Sequence, residues 1–182
     1  MIHRCFYMNF LNNYKLIIEE IHKLQRNCNL VIVTKNQPFD NILPFIQAGH
    51  LHFGENKVLE AKKKWSSFLI DKKDNVKLHL IGKLQSNKAK EAFNLFDFVH
   101  TLDSEKLAKI FSGFENNSKR KIRYFIQINI GKETQKNGID SSLVKEFSNF
   151  CRNDLRLNII GLMCIPPVNV DPSPFFKKMQ EL

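Results

Sequence analysis

Lys35 closes the apolar run "LVIVTK", residues 30–35. A primary amine at that place has two chemistries open to it. Just past a strand it is an ordinary solvated cation. Held in a partly apolar mouth it is pushed toward its neutral form, which attacks carbonyl carbon and forms a Schiff base. Other small and polar residues stand in comparable places behind apolar runs: Gly54, Glu55 and Asn56; Gly82; Asp103; Asn129; and Met163 to Pro166. His79 shares its parity with Ile81 in "LHLIG", and Gln127 and Asn129 alternate with Ile126, Ile128 and Ile130 in "FIQINI". Cys5, Cys28, Cys151 and Cys164 are far apart, with no Cys-x-x-Cys and no His/Cys cluster. That spacing argues against a zinc site and a disulfide framework, and for a reducing, cytoplasmic setting.

The elements that must position these residues come in a regular order. β-rich runs recur at residues 29–34, 50–54, 76–82, 96–102, 123–130 and 158–165. Helical patterns lie between them. "FDNILPFIQAG" ends in Gly49, a C-cap residue, and Pro44 predicts that this helix is short or kinked. "NKVLEAKKKWSSFL" places Val58, Leu59, Trp65, Phe68 and Leu69 at helical spacing. "SEKLAKIFSGF" opens on Asp103 or Ser104 as N-cap, with Leu107, Ile110 and Phe111 on one stripe. "DSSLVKEFSNFCRN" repeats the pattern with Leu143, Val144, Phe147 and Phe150. An amphipathic helix from Phe10 to Arg26 precedes the first strand, and another is predicted from Pro174 to Leu182.

Alternating strands and helices imply parallel strands joined by right-handed crossovers. Two architectures fit, a doubly wound open sheet and a (β/α) barrel. Neither Gly-x-Gly-x-x-Gly nor a P-loop follows any strand, so nucleotide-binding versions of the first lack their motif. In a barrel, Gln127, Asn129 and His79 point into the lumen, and Val31, Val33 and Lys35 share the inner face. The strand ends enumerated above then form the mouth where barrel sites are built.

The chain has 182 residues, enough for one core and one domain spanning 1–182. Its 43% hydrophobic and 25% charged content is that of a globular protein. No apolar run reaches the roughly 18 to 20 residues that span a bilayer, and no secretory signal pattern opens the chain. The net charge of +10 is dispersed over several lysine runs, two of them on helices between apolar residues. Dispersed charge of that kind is a solvated surface, so a basic nucleic-acid-binding domain is only a rival reading.

Six segments carry a resemblance. "VIVTKNQP", "HFGENKVLEAKKK", "LHLIGKLQSNK", "VHTLDSEKLA", "IQINIGKETQKNGI" and "IIGLMCIPP", in this order and spacing, closely resemble the YggS/PROSC family, the pyridoxal phosphate homeostasis proteins. The resemblance runs from about Leu30 to Pro167. It implies a TIM-type α/β barrel of the alanine racemase N-terminal kind and a non-catalytic role in holding pyridoxal 5'-phosphate (PLP). Lys35 falls on the lysine that carries PLP as a Schiff base. Asn56 falls on the asparagine of Gly-Glu-Asn, near the cofactor. Met163 would pack beside the pyridine ring, and His79 and Asn129 would line the lumen around it. Implied partners are PLP itself and PLP-dependent apo-enzymes, with no nucleic acid, no membrane and a monomeric state. A racemase or decarboxylase fragment of the same fold is the rival within this class.

Departures accompany the resemblance. The family's second lysine, in "SKTKP", is here Gln37, and its tyrosine after Gly-Glu-Asn is here Lys57. The family's "GMS" and "GST-x-VRIG" segments do not follow "GLMCIPP", so six of eight strands are expected. That predicts open edges on the first and sixth strands. It also predicts inner-face residues Val33, His79, Gln127 and Met163 more exposed than in a closed barrel.

Overall fold

The structure is a computed structural model that describes residues 2–24, 28–70, 75–131 and 137–182. Its order is α1 (Ile2–Lys23), β1 (Ile32–Val33), α2 (Leu43–Gln47), β2 (His52–Glu55), α3 (Val58–Ile70), β3 (Lys77–Leu80), α4 (Ala89–Leu95), β4 (Phe98–Leu102), α5 (Glu105–Asn116), β5 (Arg123–Ile128), α6 (Val144–Asn149), β6 (Ile159–Cys164) and α7 (Ser173–Glu181). The six strands form one parallel sheet in the order β1-β2-β3-β4-β5-β6. Every predicted strand is present, each within the bounds read from its apolar run or one residue beyond. β1 and β6 are the two edges of this sheet and share no ladder, as expected for an open barrel.

Period-two alternation decides which side of each strand is buried under helices. Phe53, Leu78, Leu80, Val99, Tyr124, Ile126 and Ile128 lie buried on the outer face. Helices cover them with Ala61 and Trp65 from α3, Ala89 and Ala92 from α4, Phe111 from α5, and Val144 and Phe147 from α6. The alanines leave room for the helix axes to approach the sheet. Trp65 fills the space between, with ring centroids 5.4 Å from Phe39 and 5.2 Å from Phe53. A fully buried aromatic of this size contributes about 1.5–3 kcal/mol relative to exposure.

Helix ends follow local chemistry. α2 is only five residues, carries Pro44 in its first turn, and is followed by Gly49 at φ +85°. Ser104, not Asp103, is the N-cap of α5. α6 begins after a 3₁₀ turn capped by Asp140, whose Oδ1 accepts from Ser142 N at 2.8 Å, and runs on into a π-helical turn, Phe150–Asp154. α1 starts earlier than its amphipathic pattern predicted, and the predicted end at Arg26 lies outside the described residues. Among the described residues no helix is long and apolar enough to cross a membrane.

Candidate functional site

Lys35 follows β1 where that strand stops pairing. Thr34 N still donates to Gly54 O at 2.9 Å, and Gln37 N then turns back onto Thr34 O at 3.2 Å. Asn36, between them, has φ +59°, a left-handed conformation that asparagine tolerates better than most residues. The Lys35 side chain is exposed, and no described residue bonds or pairs with its amine. The expectation of an enclosed, partly apolar surrounding is corrected here. β1 is an edge strand, and Val33 on its inner face is 47% exposed.

The neighbouring strand end is tightly built. Gly54 sits in register with Val33 and His79, and a Cβ there would stand 3.1 Å from Val31 and 3.2 Å from Ile81. At Gly82, in the turn after β3, a Cβ would collide with the Asn56 carbonyl, so glycine is required there for the two turns to pass. The Asn56 side-chain oxygen is buried with no partner among the described residues. A buried acceptor left open is costly unless something completes it. Beside Asn56 lies a recess of about 420 Å³ whose wall includes Lys57, Glu60, Lys83, Leu84, Gln85 and Lys88. Thr101 Oγ1 donates to Gly82 O at 3.0 Å, and burial pushes the Asp103 carboxyl above its usual range against the opposing pull of Lys83.

Below this mouth the inner face is filled with rings. His52 Nδ1 and His79 Nε2 share a hydrogen bond at 2.9 Å, and His79 Nδ1 and His100 Nε2 share another at 2.8 Å. His79 stacks on Phe98 at 4.1 Å, His100 stacks on Phe125 at 4.3 Å, and Arg123 lies over the Phe98 ring at 5.0 Å. Burial pushes His79 down to about 3, helped by repulsion from His100 and His52, and burial alone takes His100 to about 4. These rings therefore stay neutral near pH 7.

This packing corrects a second expectation. His79 is 4% exposed and Gln127 8%, although the sheet has two open edges. The imidazole and phenyl stack covers His79. The chain after β5 covers Gln127, returning so that Ile139 N donates to Gln127 O and Asn129 N donates to Ile139 O, both at 2.9 Å. Gln127 Nε2 donates to Asn137 O at 3.3 Å. Met163 is partly exposed and pairs in register with Gln127. Residues 132–136 of that returning chain, with Lys132, lie outside the described residues.

Glu55, at the end of β2, points the other way, into the helix layer, and is fully buried. Its Oε1 accepts from Thr34 Oγ1 at 2.7 Å, Lys64 Nζ at 2.9 Å and Trp65 Nε1 at 3.0 Å. Lys64 also donates to Thr34 O at 2.6 Å and to Glu60 Oε1 at 3.1 Å, and Asn36 N donates to Glu60 Oε1 at 2.6 Å. Sequence reading set Glu55 among the mouth residues and missed this network. Its only sequence signal is Glu60 and Lys64, one helical turn apart on α3.

Comparison with known proteins places the geometry in context. The model of the alanine racemase N-terminal domain family matches residues 8–182. A pyridoxal phosphate homeostasis protein of Haemophilus influenzae is 34% identical over 185 residues, covering 96% of this chain and 78% of that protein. PipY of Synechococcus elongatus, solved without and with PLP bound, is 30% identical, with TM-scores of 0.74 and 0.72. Those two matches cover 90% of this chain and 81% and 80% of the respective PipY chains. An alanine racemase of Clostridium difficile shares only the fold, at 12% identity and a TM-score of 0.67 over 94% of this chain and 47% of that one.

Proposed function

This chain belongs to the alanine racemase N-terminal domain family and, within it, to the pyridoxal phosphate homeostasis proteins; on that premise we propose that it holds PLP on the Lys35 amine and passes it on without turning over a substrate. The observation that carries the reading is a primary amine at the C-terminal end of β1 that the fold leaves unengaged by any described residue. When bound, PLP supplies an aldehyde carbon that a neutral primary amine attacks.

The other residues support this reading by what they offer. Asn56 presents a buried oxygen that lacks a donor, the kind of orphaned atom a bound polar group completes. Lys57, Lys83 and Lys88 outnumber the one carboxylate, Glu60, in the recess beside it, where a net positive charge favours a phosphate. Asn129 and Met163, at the ends of β5 and β6, are proposed to flank the ring, one polar and one soft and apolar. His79 shares both ring nitrogens with other histidines, so its proposed part is the floor under the cofactor and not a direct donor. The non-catalytic reading draws on the same floor. Imidazoles pushed down to about 3 and 4 are too weakly basic to take a proton from substrate near pH 7.

The test is covalent. Mixed with PLP and treated with borohydride, the full chain should retain one cofactor, on the peptide containing Lys35. Lys35→Ala should lose it. Label scattered over many surface lysines, and unchanged in the variant, would overturn the assignment.

A further inference from the structure

The backbone is held on both sides of Lys35 by one helix. On the N-terminal side, Thr34 O accepts from Lys64 Nζ at 2.6 Å, while the Thr34 hydroxyl donates to Glu55 Oε1 at 2.7 Å. On the C-terminal side, Asn36 N donates to Glu60 Oε1 at 2.6 Å. Glu60 and Lys64 themselves pair at 3.1 Å, one turn apart on α3. The Lys64 side chain is 8% exposed and Glu55 is not exposed at all, so the bonds on the Thr34 side are little weakened by water, whereas the Asn36–Glu60 bond lies at the surface and rests on its ionised acceptor.

β1 has only two ladder residues and lies at the sheet edge, so its end has few other restraints. The turn beyond it contains a left-handed Asn36, a conformation less common than the right-handed one even for asparagine. Lys35 is the one residue enclosed between the two anchored peptide groups. The Asn36 amide also holds the Glu60 carboxyl below its usual range, the direction expected when that bond favours the ionised acid.

We propose that Glu60 and Lys64 are positioning residues that tether the peptide groups on both sides of Lys35 and thereby aim its amine at the inner face of the sheet. The aim rests on the reading of Lys35 as the PLP-bearing amine; the tether does not. α3 acts as the rigid frame, anchored in the core by Trp65. Without the tether, the edge strand end and its lysine sample solvent, and Lys35 becomes one surface amine among many.

Two readouts on the full chain decide it. The first is amide hydrogen exchange at Asn36 and Gln37 in ligand-free protein. The second is the share of borohydride-fixed PLP found on the Lys35 peptide. Glu60→Ala should speed exchange at Asn36 by about tenfold or more while strand amides in β3 and β4 stay protected. In the same variant the Lys35 share of label should fall several-fold. Glu60→Gln keeps an oxygen for the Asn36 amide and should restore both. Lys64→Met should loosen the Thr34 side, and Glu60 variants keep the test open if that change unfolds the chain. Exchange at Asn36 unchanged in Glu60→Ala, or faster exchange with undiminished Lys35 selectivity, overturns the proposal. If wild-type protein does not label Lys35, the carrier reading fails, and the exchange comparison alone decides the tether.

Discussion

Single residues set the strongest local demands, and Glu55 makes the largest. Three donors converge on its Oε1, and its Oε2 is buried with no partner among the described residues. Glu55→Ala would leave the Trp65 N–H without its acceptor and the Lys64 ammonium with only Thr34 O and Glu60, a loss on the order of 3 kcal/mol. Glu55→Gln keeps an oxygen for the same donors and sets its amide where Oε2 had no partner, so a loss of about 1–3 kcal/mol is expected. Urea unfolding of the two variants measures the difference. Equal losses would mean that the charge, and not the shared acceptor, carries the interaction. The types of residue at this site were visible in the sequence: Lys35, Asn56 and Met163 were all singled out there. The direction Glu55 faces was not, because the strand was read as ending at Gly54, whereas β2 runs through Glu55 and gives it the outward parity of Phe53.

At the scale of elements, β2, β3 and β4 are joined by more than their ladders. His52, His79 and His100 form a hydrogen-bonded row across three strands, stacked on Phe98 and Phe125. His79 and His100 are held at about 3 and 4, below the ordinary 6.5 of the unfolded chain. The unfolded state therefore takes up protons first as the pH falls. The stability contributed by the neutral row is full above about pH 6.5 and declines as the pH drops toward 4 and below. Unfolding midpoints measured from pH 7.5 to 4.5 should fall steadily. In His79→Phe, which keeps the stack on Phe98 but cannot protonate, the slope should be shallower. Parallel slopes would assign the acid sensitivity to carboxylates instead.

For the molecule as a whole, the open edges matter most. Among the described residues β1 and β6 each lack a strand neighbour on one side, with Phe10 of α1 and Phe176 and Met179 of α7 beside them, and Val33, Ile160 and Ile165 are 47%, 42% and 57% exposed on or near these strands. Unpaired, apolar strand edges recruit other strands unless charge or a covering element blocks them. A monomer at low concentration should thus give way to association as concentration rises. Ile160→Lys, which places a charge on exposed β6, should suppress that association without lowering the unfolding midpoint by more than about 0.5 kcal/mol equivalent. Sedimentation over a wide concentration range is the check, and a wild-type chain that stays monomeric throughout would show that its edges are inert.

The sequence by itself determined the order of strands and helices, the parallel sheet and the buried outer face. These follow from local periodicity: alternation at two along "RYFIQI" or at helical spacing along "KVLEAKKKW" is decided by residues within one turn or one pleat of each other. It also determined the residue types at the strand ends. Tertiary structure alone decided which of them meet. His52 and His79 are 27 positions apart, Lys64 and Thr34 are 30, and each pair depends on strand register and on how a helix sits over the sheet. Enclosure was decided at the same level. Lys35 is exposed because its strand is an edge, and His79 is buried because rings from neighbouring strands close over it. Neither environment is written in the few residues on either side.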